Sequence, residues 1–249
     1  KAWAPVLGVL AVIGIIYGAL GCLAQTDMKR LIAFSSVAHM GFVMLGISTL
    51  TTFGINAALF GMFAHGLITG MLFFVAGSVK HRYHTLEISR LSGLLVQAPR
   101  LGWIMGFAAM ASLGLPGLAG FWGEFPALLA AYNPGFGLSE ELFRTLMVIA
   151  AVGTVLAAAY LLWLYQRTAF GEPTAEFSNK GGVAHSLSSA ANDNEDAHDG
   201  IADVTPVEWL AWSPFLIGIV VLGVYPQLLF KVMDPAVGAM VSRLGETLG

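Results

Sequence analysis

The sequence predicts an all-α membrane protein with six transmembrane helices, one of them discontinuous. Three observations lead there. Hydrophobic residues make up 57% of the 249 and charged residues only 11%, whereas a soluble domain carries about 25% charged residues. Apolar runs recur at membrane length, at 3–24, 31–50, 55–79, 101–131, 142–166 and 209–230. A helix of roughly 20 such residues crosses the roughly 30 Å of hydrocarbon. The fourth run, however, contains GLPGLAGFWGEF at 114–125, where helix breakers and an ionisable Glu124 interrupt the lipid-like sequence. Membrane barrels alternate polar and apolar residues, and these runs do not.

The first run follows Lys1 almost at once, with no methionine and no cleavable signal pattern, so an earlier part of the chain is expected to be absent. Cys22, the single cysteine, lies within this run; a lone buried thiol reads as packing, and it excludes an intrachain disulfide. The connections then alternate in character. QTDMKR follows the first run, KHRYHTLEISR the third, and Arg167 the fifth, whereas TTFG and NPGFGLSEE carry no Lys or Arg. The positive-inside rule places the basic connections on the cytoplasmic side, with Arg144 and Lys231 as minor exceptions opposite.

Three parts follow along the chain. Residues 1–170 form a transmembrane repeat with its break at 101–131. Residues 171–206 form an acidic connection rich in Ser, Gly and Asn, with seven acids against Lys180. Without that segment, eleven basic residues face eight acids, so the net charge of −3 hides a mildly basic membrane part. The connection is too poor in large apolar side chains to bury itself and is expected to be disordered. His185 and His198 within it match no metal-binding spacing. Residues 207–249 hold the last span and a tail in which Val237, Met240, Val241 and Leu244 predict a short amphipathic helix after Asp234-Pro235, at the far surface.

Three ionisable side chains fall well inside the runs: His39, His65 and Glu124. His39 lies ten residues beyond Lys29 and His65 ten from Ile55, each roughly 15 Å deep; Glu124 lies eight residues before Tyr132, roughly 12 Å deep. A charge at that depth costs several kcal/mol, so such residues usually face a bundle interior or a water-filled path. Ser36 stands three residues before His39 and Thr69 four after His65, which makes both hydroxyls candidate relays. The competing reading is interhelical glue: an intramembrane histidine bonded to a neighbouring carbonyl, and a glutamate kept protonated as a structural acid.

Gly114, Pro116, Gly117 and Gly120 sharpen the functional reading. Pro116 removes a backbone donor, and the glycines loosen the helix around it. Backbone groups freed in lipid must be satisfied by protein or water. Discontinuous helices near the midplane recur in ion-translocating proteins. The break should therefore place Glu124 in a hydrated interior, joined by water to His39 and His65. Histidine suits the middle of a proton path because its ordinary pKa near 6.5 makes both forms accessible.

The segments LAQTDMKRLIAFSSVAHMGFVMLGI, FAHGLITGMLFFVAG, HRYHTLEISRLSGL and LGLPGLAGFWGEF, in this order, resemble the antiporter-like, proton-translocating subunits of respiratory complex I. The resemblance covers residues 1–170 and the last span. It implies that the six helices are the last six of fourteen, with the first five forming the second of two inverted five-helix repeats. Glu124 stands where many relatives carry lysine, which favours the M-type chains of bacterial NADH-quinone oxidoreductase. His39 and His65 match the family's connecting histidines, and Glu124 its broken-helix ionisable residue. The long acidic connection departs from the compact linker of many relatives.

The resemblance further implies a multi-pass subunit of a redox-driven proton translocase in the bacterial inner membrane, moving protons through a half-channel. Its partners would be neighbouring membrane-arm subunits and the lipid bilayer, with no nucleic acid. The sequence carries no glycine-rich nucleotide fingerprint and no cysteine set, so no cofactor is expected in this chain. NADH, FMN, iron–sulfur clusters and quinone would belong to partner subunits. One alternative is a subunit of a multisubunit cation/proton antiporter. Another is a haem-b electron carrier, with His39 and His65 clamping a porphyrin beside Gly41, Gly61 and Gly66.

Overall fold

The computed structural model describes residues 1–178 and 201–248. Among the described residues, five helices are long and apolar enough to cross a membrane: α1 (Ala4–Leu23), α2 (Met28–Ser48), α3 (Thr52–Tyr83), α7 (Glu140–Ala169) and α9 (Pro206–Val224). The fourth apolar run is two half-helices instead, α5 (Pro99–Ser112) and α6 (Phe121–Tyr132), joined by a non-helical stretch across the break. Single turns α4 (Leu94–Gln97) and α8 (Ala175–Ser178) and a 3₁₀ turn at Ile88–Arg90 fill the connections, and α10 (Gln227–Leu248) closes the chain.

The helix starts follow local chemistry. Asp27 accepts from Arg30 N, Thr51 from Gly54 N and Ser139 from Leu142 N, so α2, α3 and α7 each begin with a side chain satisfying an orphan amide. Thr205 and Glu208 form a reciprocal capping box on α9. Lys80, His81 and Arg82 end α3 where the helix dipole favours positive charge, and His84 terminates it in the left-handed region at φ 54°. α3 is roughly 48 Å long, so its basic end projects beyond the hydrocarbon.

The basic connections meet at one end of the bundle. Met28 N donates to Leu86 O and Ile88 N to Thr26 O, pairing the loop after α1 with that after α3. At the opposite end Gly135 N donates to Thr49 O, joining the α2–α3 and α6–α7 turns. The two described ends of the acidic connection, 171–178 and 201–206, are docked at the basic end, where the sequence predicts disorder throughout 171–206. Phe177 and Val204 are buried, Gln97 Nε2 donates to Phe177 O at 2.7 Å, and Asp203 accepts from Arg100 N and Leu101 N. Asp203 thereby caps α5, which has no cap from its own neighbouring residues. Residues 179–200, with His185 and His198, lie outside the described residues.

The last span also ends earlier than the apolar run implies. α9 stops at Val224, and Tyr225 leaves the helix at φ −127° and ψ 67°. The ring of Pro226 disfavours the helical region for the residue before it. α10 then begins at once, before rather than after Asp234-Pro235, and carries Pro235 inside it. It folds back on α3: Phe230 stacks on Phe60 at 5.0 Å, Asn56 donates to Asp234, and Val237 is buried. Packing of this face extends the amphipathic helix beyond its expected length.

Candidate functional site

Glu124 sits in the first turn of α6, where the broken helix resumes. Gly114 and Gly117 have φ of +70° and +93°, a region that residues with a Cβ enter only at a cost. The chain can thus turn sharply between the half-helices. α9 meets the break: the backbone Ala119 N donates to Ile219 O at 3.1 Å, and the Trp122 side chain donates from Nε1 to Gly223 O at 2.8 Å. A Cβ on Gly223 would stand 2.2 Å from Gly117 O, so a side chain there would push the break away. Protein, rather than lipid, satisfies the break.

α6 is then pressed against α3. A Cβ on Gly123 would lie 2.5 Å from Gly61 Cα, so the two backbones cross in direct contact one residue before Glu124. This close crossing holds the carboxylate between α2 and the break. His39 Nδ1 lies 2.6 Å from Glu124 Oε1, and the two side chains are 6% and 14% exposed. That spacing fits a charge-assisted hydrogen bond. Water was expected to join the two residues; they touch directly.

His65 is the next ring along, with its centroid 5.5 Å from that of His39. Its Nε2 is 3.1 Å from Ser36 Oγ, and Thr69 Oγ1 lies 3.2 Å from Nδ1 and 3.1 Å from Nε2. Both hydroxyls singled out in the sequence therefore flank His65. Ser36 arrives from α2 across the interface, and Thr69 from one turn further along α3. Glycines 61, 120 and 123 border a cavity with His39, His65 and Glu124, and it has about 20 Å³ of space for water centres. That is room for about one water.

Of the four residues named for the break, Gly114, Gly117 and Gly120 also shape the site. Gly114 lies against the carboxylate, its Cβ position 3.2 Å from Glu124 Oε2, and a Cβ on Gly120 would meet Ala111 O at 2.2 Å. Pro116 stands in the turn between the half-helices. A porphyrin between His39 and His65 does not fit. The cavity holds about 20 Å³ where organic ligands occupy about 300–1,000 Å³, and the imidazole nitrogens are already engaged.

Two residues at the site escaped the sequence reading. Ser112 Oγ is 3.2 Å and Tyr160 OH 3.3 Å from His39 Nε2. Their signal was faint: a serine just before the break, and a tyrosine after three alanines inside an otherwise apolar helix. Both types are ordinary in membrane helices, and only packing brings α5 and α7 to the same histidine.

The chain's relatives share this architecture. Residues 1–157 match the family model described as NADH:quinone oxidoreductase/Mrp antiporter, TM. NADH-quinone oxidoreductase subunit M of Rhodobacter capsulatus is 37% identical over 241 residues, covering 97% of this chain and 42% of that protein. NAD(P)H-quinone oxidoreductase chain 4 1 of Synechococcus elongatus is also 37% identical, over 99% of this chain and 42% of its own length. The chain thus spans less than half the length of these relatives. Among solved structures, a chain of respiratory complex I from Thermus thermophilus with bound NADH superposes with a TM-score of 0.79 at 30% identity, covering 97% of this chain and 45% of that one. A chain of the Mrp complex from Dietzia shares the fold, with a TM-score of 0.78 at 20% identity, over 99% of this chain and 49% of that one. With well over half its residues inside the family model and more than a third identical to subunit M and chain 4 proteins, the chain belongs to the NADH:quinone oxidoreductase/Mrp antiporter transmembrane family.

Proposed function

We propose that this chain is an M-type membrane-arm subunit of NADH-quinone oxidoreductase, lying in a bacterial inner membrane and moving protons through a half-channel built on Glu124, His39 and His65. Electron transfer belongs to partner subunits, which hold the NADH, FMN, iron–sulfur and quinone sites, and neighbouring antiporter-like chains flank this one in the membrane. The observation that carries the reading is the 2.6 Å contact between His39 Nδ1 and Glu124 Oε1 at a helix break.

The chemistry follows from that contact. A carboxylate and an imidazolium sharing one proton are neutral as a pair, whether the proton rests on nitrogen or oxygen. The pair can therefore occupy the bilayer interior at far lower cost than a lone carboxylate. Adding or removing one proton leaves a net charge there. His65 supplies the neighbouring station: two positive rings 5.5 Å apart would repel by roughly 3 kcal/mol at an effective dielectric of 20. Protons then advance singly, with Ser36 and Thr69 orienting His65, and water in the adjoining cavity completing the link. Glu124 exchanges with the far side. The family also covers antiporters, and the Mrp-type fold favours a second reading: the same half-channel serving a cation/proton antiporter, driven by an ion gradient without an electron donor.

Glu124→Gln tests the site. The amide keeps shape and hydrogen bonding but cannot titrate. In inverted membrane vesicles energised by NADH, the assembled variant should lose at least about tenfold in proton uptake, the loss of one strong transition-state contribution. Uptake at the wild-type rate in assembled variant would overturn the reading. Uptake driven by a sodium gradient alone, and insensitive to NADH, would select the antiporter.

A further inference from the structure

The His39 ring is held at both nitrogens by different helices. Nδ1 faces Glu124 of α6, and Nε2 faces Ser112, the last residue of α5, together with Tyr160 of α7. The other groups around it are His65 of α3 and, against Tyr160, Cys22 of α1 and the buried Ser35 of α2. Ser112 is 4% exposed and Tyr160 fully buried, and these two hydroxyls are the protein groups within hydrogen-bond distance of Nε2.

A hydroxyl differs from a backbone carbonyl or an amide N–H as a neighbour of a buried imidazole. It can donate or accept by rotating its hydrogen, without moving a heavy atom. When His39 is neutral with its proton on Nδ1, Nε2 needs a donor. When His39 is cationic, or holds its proton on Nε2 opposite a protonated Glu124, Nε2 needs an acceptor. A backbone carbonyl would serve only the second case and an amide N–H only the first. Either would bias the ring toward one state.

We infer that Ser112 and Tyr160 are positioning residues for His39, rotating hydroxyls that complete Nε2 whether the ring holds or has passed on its proton. This rests on the proton-path reading proposed above. It also means that one imidazole ties both halves of the broken helix together, through Ser112 on one side and Glu124 on the other.

The test is the pH profile of NADH-driven proton uptake by the intact complex in inverted membrane vesicles. Tyr160→Phe removes a single oxygen and Ser112→Ala removes the other. Bonds to a charged ring are stronger than bonds to a neutral one, so losing both acceptors penalises the protonated ring more. The double variant should lose about tenfold in rate and move its optimum about one unit toward acid. Ser112→Thr in the Tyr160→Phe background should restore most of the rate, because it returns a hydroxyl. A double variant with the wild-type rate and profile overturns the inference. So does a lower rate with an unmoved profile that Ser112→Thr fails to rescue, since that marks packing alone. Should the double variant not assemble, Tyr160→Phe by itself must still move the optimum toward acid, and an unmoved optimum overturns the inference. Wild-type uptake by Glu124→Gln would sink the underlying reading instead, which keeps the two failures distinct.

Discussion

Glu124 is tolerable deep in the bundle because His39 stands 2.6 Å from it, and that dependence is measurable. Removing one partner of a buried pair leaves the other uncompensated, a loss of about 3–5 kcal/mol. His39→Ala should therefore lower the thermal midpoint of the purified protein and abolish most proton uptake. His65→Ala should be milder in stability, near 1 kcal/mol, because Ser36 and Thr69 are hydroxyls that can find other partners. Equal destabilisation by the two changes would refute this ordering. The sequence marked His39, His65 and Glu124 through their improbable depth. It could not show that His39 rather than water meets Glu124, because that contact joins residues 85 apart.

At the scale of elements, the decisive feature is the crossing of α3 and α6 at Gly61 and Gly123. Gly123→Ala would force a Cβ to within 2.5 Å of Gly61 Cα, and that neighbour is backbone, which cannot turn aside. Overpacking of this kind costs about 1–3 kcal/mol. The variant should insert normally, show a lower thermal midpoint and pump more slowly as Glu124 is carried away from His39. A variant as stable and active as the wild type would show that α6 is free to slide. The break itself was legible, since Gly114, Pro116 and Gly117 are incompatible with an uninterrupted helix. The early start of α10 was not, because its packing depends on Phe60 and Asn56 of a helix distant in sequence.

At the scale of the whole molecule, the two ends of the bundle differ in charge and in construction. The basic end gathers the loops after α1 and α3 and the docked parts of the acidic connection. Arg82 clasps it, pairing with Glu208 at 2.7 Å and donating to Ala202 O and Asp203 O. The opposite end gathers the α2–α3 and α6–α7 turns. If the basic end is cytoplasmic, a cysteine at Lys80 should react with a membrane-impermeant maleimide from the cytoplasmic side only, and one at Asn133 from the other side only. The native Cys22 is fully buried and should stay silent. Labelling of both positions from one side would overturn the arrangement.

Hydropathy and helix-breaking chemistry are local properties, so the sequence alone determined the membrane class, the six apolar segments, the discontinuity in the fourth and the identity of its ionisable residues. The charge of the short connections likewise set the expected orientation. Distance between helices is not local. Only the tertiary structure decided that α9 satisfies the break, that two glycines bring α6 against α3, and that Ser112 and Tyr160 join His39. Each depends on groups far apart in the chain meeting at a spacing of a few ångströms, which no periodicity in the sequence encodes.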